Sequence, residues 1–233
     1  DYLIYKIGTP NVDKNTVEYK TYQTTIDGKR IKELENTDDL IKDRNLSPDG
    51  KFRLSAEEVK INKVLGKDRY ANLPEANVYV YDGLDYRHWD KDNDGSFSHV
   101  FVTNLETNEK TDLLKGEPYY SPQAPFGGEE DYIWNPNGKS VIYVSKKKAG
   151  TEYATSTNTD LYEYNLETKQ TINLTEKNLG YDTRPTFSPN GDLTWLQMKR
   201  DGYEADKNDI IVRHKGIDIN LTAAWDGTVD SYV

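Results

Sequence analysis

The chain has 233 residues, with 30 Lys and Arg against 40 Asp and Glu and a formal net charge of −10. That balance argues against a nucleic-acid-binding face, because neutralising phosphates requires clustered cations. No apolar run approaches the ~20 residues of a membrane-spanning helix. Without Cys there is no disulfide, thiol nucleophile or thiolate metal site, which leaves both a bacterial periplasm and a cytoplasm open.

Mean hydropathy is −0.90, yet 18 Tyr and 4 Trp supply apolar area with polar tips, so a folded domain with a wet surface is expected. The chain opens in an apolar β-pattern, Tyr2-Leu3-Ile4-Tyr5. A strand pair then runs from Val17 to Leu34, turning at Asp27-Gly28-Lys29. Next comes Ser47-Pro48-Asp49-Gly50-Lys51, the first of three related turns; the others are Asn135-Pro136-Asn137-Gly138-Lys139 and Ser188-Pro189-Asn190-Gly191-Asp192. Proline presets φ, Asp or Asn tolerates unusual backbone angles and Gly accepts positive φ, a combination suited to tight reversals between strands. The turns lie 88 and 53 residues apart, as expected of a repeat of roughly 40–50 residues with one overgrown copy.

The overgrowth follows Phe52-Arg53-Leu54-Ser55. About forty residues intervene before the strand at His99, and they hold an alternating stretch, Val78-Tyr79-Val80-Tyr81, and the cluster Tyr86-Arg87-His88-Trp89-Asp90. Long ordered loops often carry function. Arg87, His88, Trp89 and Asp90 gather a cation, an imidazole, an aromatic platform and a carboxylate, fit to clamp a peptide carboxylate or main chain. The alternative is a buried knot in which Asp90 pairs with Arg87 and Trp89 fills core. Asp90-Lys91-Asp92-Asn93-Asp94-Gly95 matches the opening of a calcium loop, but Phe101 stands where a bidentate Glu belongs, and a hairpin turn is the preferred reading.

Further on, Phe126-Gly127-Gly128-Glu129-Glu130-Asp131 joins two glycines, which allow close backbone approach, to three acids able to receive an α-ammonium group. A glycine loop with exposed acids feeding the strand Tyr132-Ile133-Trp134 is the alternative. Val141-Ile142-Tyr143-Val144 follows the second turn, and Lys146-Lys147-Lys148 reads as a solvated strand end. Strand pairs follow at Asp160–Thr175 and Asp209–Thr222, with Leu193-Thr194-Trp195-Leu196 after the third turn and the charged loop 200–207 before the last pair. The chain closes in a β-pattern, Val229–Val233.

Four antiparallel strands per repeat describe a β-propeller blade. The expected fold is all-β: about four blade-equivalents of a larger, seven- or eight-bladed ring, at approximately 1–45, 46–130, 131–184 and 185–233. His88, His99 and His214 have no metal-ligand spacing, no cofactor is implied, and no G-x-S-x-G nucleophile elbow occurs.

The blade pattern resembles the N-terminal propeller of prolyl oligopeptidase-family serine peptidases, in the bacterial dipeptidyl aminopeptidase/acylaminoacyl-peptidase branch related to dipeptidyl-peptidase V. The resemblance rests on Tyr86–Asp90 with Ser98-His99-Val100-Phe101-Val102, on Pro125-Phe126-Gly127-Gly128, and on Met198–Lys207 with its Arg200-Asp201-Gly202-Tyr203 core. It implies a propeller that gates access for short peptides and holds their N-termini, partnered by a C-terminal α/β-hydrolase domain that lies outside this chain and carries the catalytic triad. By that resemblance Glu130 is the amine anchor with Glu129 beside it, and Arg87, His88, Trp89 and Asp90 face the interdomain cavity. This chain alone is expected to catalyse nothing, to meet neither nucleic acid nor membrane, and to work in a periplasm in preference to a cytoplasm. A non-catalytic periplasmic protein- or ligand-binding propeller is the alternative.

Overall fold

The computed structural model describes residues 2–35 and 43–232. They fall into two units, Asp1–Arg44 and Asn45–Val233. The first is a meander of β1 (Tyr2–Asn11), β2 (Thr16–Thr25) and β3 (Ile31–Leu34). Its second turn uses Asp27-Gly28 as expected, with Gly28 at φ 70° and the Thr25 hydroxyl 2.5 Å from the Asp27 carboxylate.

The second unit begins with β4 (Phe52–Lys60). An insertion follows, containing only a two-residue hairpin, β5 (Arg87–His88) and β6 (Lys91–Asp92), and one helical turn. The chain returns as β7 (Ser96–Asn104), which pairs with all of β4, and continues into β8 (Lys110–Asp112). The fourth strand expected here shrinks to a single bridge, Leu46 to Arg53. The alternating stretch Val78–Tyr81 makes one bridge, Leu65 to Tyr79, and its tyrosines stack on each other, ring centroids 5.9 Å apart.

Two complete four-stranded antiparallel meanders follow. One comprises β9 (Tyr132–Trp134), β10 (Ser140–Ser145), β11 (Asp160–Asn165) and β12 (Thr171–Asn173). The other comprises β13 (Asp182–Phe187), β14 (Leu193–Gln197), β15 (Asp209–His214) and β16 (Ile217–Asn220). These sheets are β-propeller blades.

All six residues of β10 are buried, and the two-residue period of a strand divides them between two cores. Val141 and Tyr143 join Leu54, Val100, Val102, Leu114 and Trp134 on one side. Ile142 and Val144 join Leu161, Leu193, Trp195 and Ile211 on the other. β10 is thus the shared wall of both inter-blade cores.

The three proline turns have one geometry. Gly50, Gly138 and Gly191 sit at φ 71°, 70° and 84°, and each donates its N–H to the carbonyl three residues earlier, at 2.9, 2.8 and 2.9 Å. A second repeat closes the outer strands: Asp112, Asn173 and Asn220 each accept the amide two residues on through the side-chain oxygen, at 2.9, 2.9 and 3.0 Å. In the third blade, Asn173 and Thr175 fasten to Asp160; in the fourth, Asn220 and Thr222 fasten to Asp209. The first of these sheets has buried His99 against Asp112 at the equivalent place.

Trp195 is fully buried and donates its indole N–H to Asp182 at 2.7 Å, beside Gln197 at 2.8 Å and Asn178 at 3.1 Å. Burial lifts the Asp182 carboxyl to about 7 against the pull of these donors. Trp195→Phe keeps most of the ring volume and removes one donor from a buried acceptor. We expect a loss of about 1–3 kcal/mol, read as a lower urea midpoint with an unchanged slope.

Candidate functional site

Two loops singled out in the sequence meet on one side of the second unit. Asp90 occupies the β5–β6 turn, and Trp89 before it adopts a left-handed backbone at φ 51°. The Trp89 side chain is 67% exposed, so the buried-knot reading is wrong. Its ring instead lies 4.7 Å from His88 and, edge-on, 5.5 Å from Phe126 of the glycine loop. The calcium-like stretch is a hairpin continuation, with Asn93 and Asp94 side chains accepting the amides of Gly95 and Ser96 at 2.7 and 2.8 Å. Among the described residues no group of three or more His, Asp or Glu is gathered for a metal ion.

The glycine loop is held from below. Ser121 donates its amide to the Ser98 carbonyl at 2.8 Å, and the Ser98 hydroxyl donates to the Pro122 carbonyl at 2.7 Å. Asp131, buried at the end of the short turn Glu129–Asp131, accepts the Gln123 amide at 2.8 Å. A Cβ on Gly127 would lie 2.1 Å from the Asp131 carboxylate and 2.3 Å from the Gln123 nitrogen, which only glycine avoids. Burial pushes the Asp131 carboxyl up to about 6. The Gln123 amide opposes that shift, the nearby Glu130 charge adds to it and Arg184 reduces it.

Between the two loops lies a cleft of about 770 Å³ lined by Arg87, His88, Trp89, Phe126 and Glu130. The expected pair of acids is divided. Glu130 faces the cleft, whereas Glu129 turns away and accepts the Asn45 amide at 3.0 Å. Asp90 does not line it.

The cleft is completed by Tyr153, Tyr181 and Arg184, which the sequence did not mark, and by Lys146 and Glu204, which it marked only as members of charged segments. Lys146 is no solvated strand end. It is half-buried, donates to the Ser156 carbonyl at 2.7 Å and stands 4.3 Å over the Tyr153 ring. Burial lowers its pKa, countered by Asp201, Glu204 and Asp85. Lys147 is likewise engaged, pairing with Glu117 at 2.5 Å. Loop 200–207 is docked rather than free: Asp201 accepts the Ser156 hydroxyl at 2.7 Å and the Thr157 amide at 2.8 Å.

The cleft is thus an aromatic trough with acids and guanidinium groups on its walls, able to take a short, polar, partly apolar ligand by both charge types. No family model matches the chain. Dipeptidyl-peptidase 5 of Porphyromonas gingivalis is 41% identical over 170 residues, 71% of this chain, and that of Porphyromonas endodontalis is 43% identical over 164 residues, 69% of this chain. The chain is a relative of dipeptidyl-peptidase 5 over about 70% of its length. It spans about a quarter of the length of those two relatives, 25% and 23%. Among solved structures, the β-propeller domain of the trilobed protease from Pyrococcus furiosus is similar at 13% identity and TM-score 0.41, covering 94% of this chain and 53% of that one. Acylaminoacyl peptidase from Pyrococcus horikoshii is similar at 14% identity and TM-score 0.40, covering 94% and 30%.

Asp131 binds its proton more tightly when folded than at the ordinary value near 4. Its contribution to stability is therefore full below about pH 4 and lost as pH rises through about 6. Asp131→Asn should flatten the fall in melting temperature between pH 4 and 6, leaving the share that Asp182 contributes in the same direction; an unchanged slope would contradict this. Gly127→Ala should release the loop without unfolding the blades, seen as altered near-ultraviolet dichroism from the Trp89–Phe126 pair with far-ultraviolet dichroism retained.

Proposed function

We propose that this chain is the substrate-holding propeller portion of a serine exopeptidase that releases dipeptides or acylated residues from short peptides. The cleft receives the peptide's free N-terminus, and catalysis belongs to a partner α/β-hydrolase domain. The observation that carries this reading is the position of Glu130. Its carboxylate faces an aromatic-walled cleft and has no ion-pair or hydrogen-bond partner among the described residues. A carboxylate so placed pairs with an ammonium group by a charge-assisted bond, while Trp89, Phe126 and Tyr181 offer apolar surface to the neighbouring side chains. The relationship to dipeptidyl-peptidase 5 supports the same class of ligand.

Glu130→Gln should weaken binding of alanyl-alaninamide to this chain by about 10-fold or more, in line with a charge-assisted bond of a few kcal/mol. Binding of the N-acetylated peptide should be unaffected. Titration calorimetry distinguishes the two, and equal losses on both peptides would remove Glu130 from the anchor role. Dipeptidyl chromogenic substrates should show no turnover above buffer with this chain alone; measurable turnover would place catalysis within it.

A further inference from the structure

The amine anchor accounts for one charged group of the cleft; the cations Arg87, Lys146 and Arg184 line it as well. Arg69, Arg200 and Arg213 each grip a carboxylate, at 2.5, 3.0 and 2.6 Å. Arg184 has no ion pair or side-chain hydrogen bond among the described residues, yet it lines the cleft. Its position is a local departure from regular strand structure. The pairing of β13 with β14 shifts register between Thr183 and Thr186, and Arg184 within that bulge has φ 53°. Bulges of this kind re-aim a side chain, and a non-glycine residue in the left-handed region costs conformational energy that the surrounding sheet must hold in place. Pro185 follows, itself buried, so the bulge is anchored on its C-terminal side.

Glu130 and Arg184 also line one cavity of about 770 Å³, so an acid and a guanidinium group face the same cleft. A dipeptide extends ~3.3–3.6 Å per residue, which is short enough for both of its termini to lie within a cavity of that size. A free guanidinium presents five donors in a planar fork that matches a carboxylate bidentately.

We propose that Arg184 binds the C-terminal carboxylate of a free dipeptide whose α-ammonium group is held by Glu130, so that the cleft retains dipeptides by both ends. This rests on the amine-anchor reading given above. A peptide extended beyond two residues keeps the amine contact and forfeits the carboxylate contact. The site therefore favours released dipeptide over longer chains, and dipeptides compete with incoming peptide for it.

The test is calorimetric titration of the 233-residue chain with alanyl-alanine, its C-terminal amide and its N-acetyl derivative. The wild-type chain should bind alanyl-alanine about 10-fold more tightly than the amide, the scale of one charge-assisted contact. In Arg184→Asn, a residue that tolerates the left-handed backbone, that preference should vanish at an unchanged melting temperature. Arg184→Lys should keep part of it if the variant above loses stability. Arg69→Gln, at a residue outside the cleft, should leave it intact. Equal binding of acid and amide by the wild-type chain overturns the proposal, as does a preference that survives Arg184→Asn or disappears in Arg69→Gln. Acetylation reports separately on the amine anchor. If acetylation weakens binding and amidation does not, the Arg184 contact falls and the anchor stands. If acetylation changes nothing, the anchor falls, and the two-ended grip falls with it.

Discussion

Everything in the second unit follows from a strand that must be covered on both faces. Ser140–Ser145 has no side that could face water. An edge strand or a two-layer sandwich would leave one of its two apolar rows exposed. Flanking sheets on either side satisfy it, with Val141 and Tyr143 facing one core and Ile142 and Val144 the other. Once blades stack on both faces, the turns and loops are forced to the ends of the strands. That is where the insertion, the glycine loop and loop 200–207 converge.

The parts of this arrangement readable from the sequence are those with local causes. Pro-Asn-Gly turns depend on the φ preferences of three adjacent residues, and alternating Val-Ile-Tyr-Val depends on the strand period, so the turns and central strands stand where the residues imply. What escaped has non-local causes. Leu46 and Arg53 make only a bridge where a full strand was expected, and Val78–Tyr81 alternates without a partner strand to pair with. Lys146 looks like one of three solvated lysines until the Tyr153 ring and the Ser156 carbonyl close on it. Glu129 and Glu130 are indistinguishable by type. They part because Asn45, 84 residues away, captures one of them.

The same division runs through the candidate site. Arg87, His88, Trp89 and Glu130 were identifiable as polar and aromatic groups concentrated in loops, and the fold brings them to one cleft. Asp131 was visible only as the third acid in a run. Its role comes from burial and from the Gln123 amide, which together make it a clamp for the loop instead of a surface charge. Arg184 gave no signal at all, since an Arg-Pro pair inside a strand carries no mark of the register shift that turns it toward the cleft.

Asp131 also explains why the loop needs glycine at position 127. The carboxylate occupies the volume that a side chain on Gly127 would fill, and the Glu130 carboxylate lies 2.7 Å from where a Cβ on Gly128 would sit. The backbone therefore packs directly against the acid that holds it and the acid that faces the cleft. The tight position is Gly127, where both the Asp131 carboxylate and the Gln123 backbone exclude a side chain. Loop position, and with it the Phe126–Trp89 contact at the mouth of the cleft, thus rests on the packing of one glycine against one buried acid.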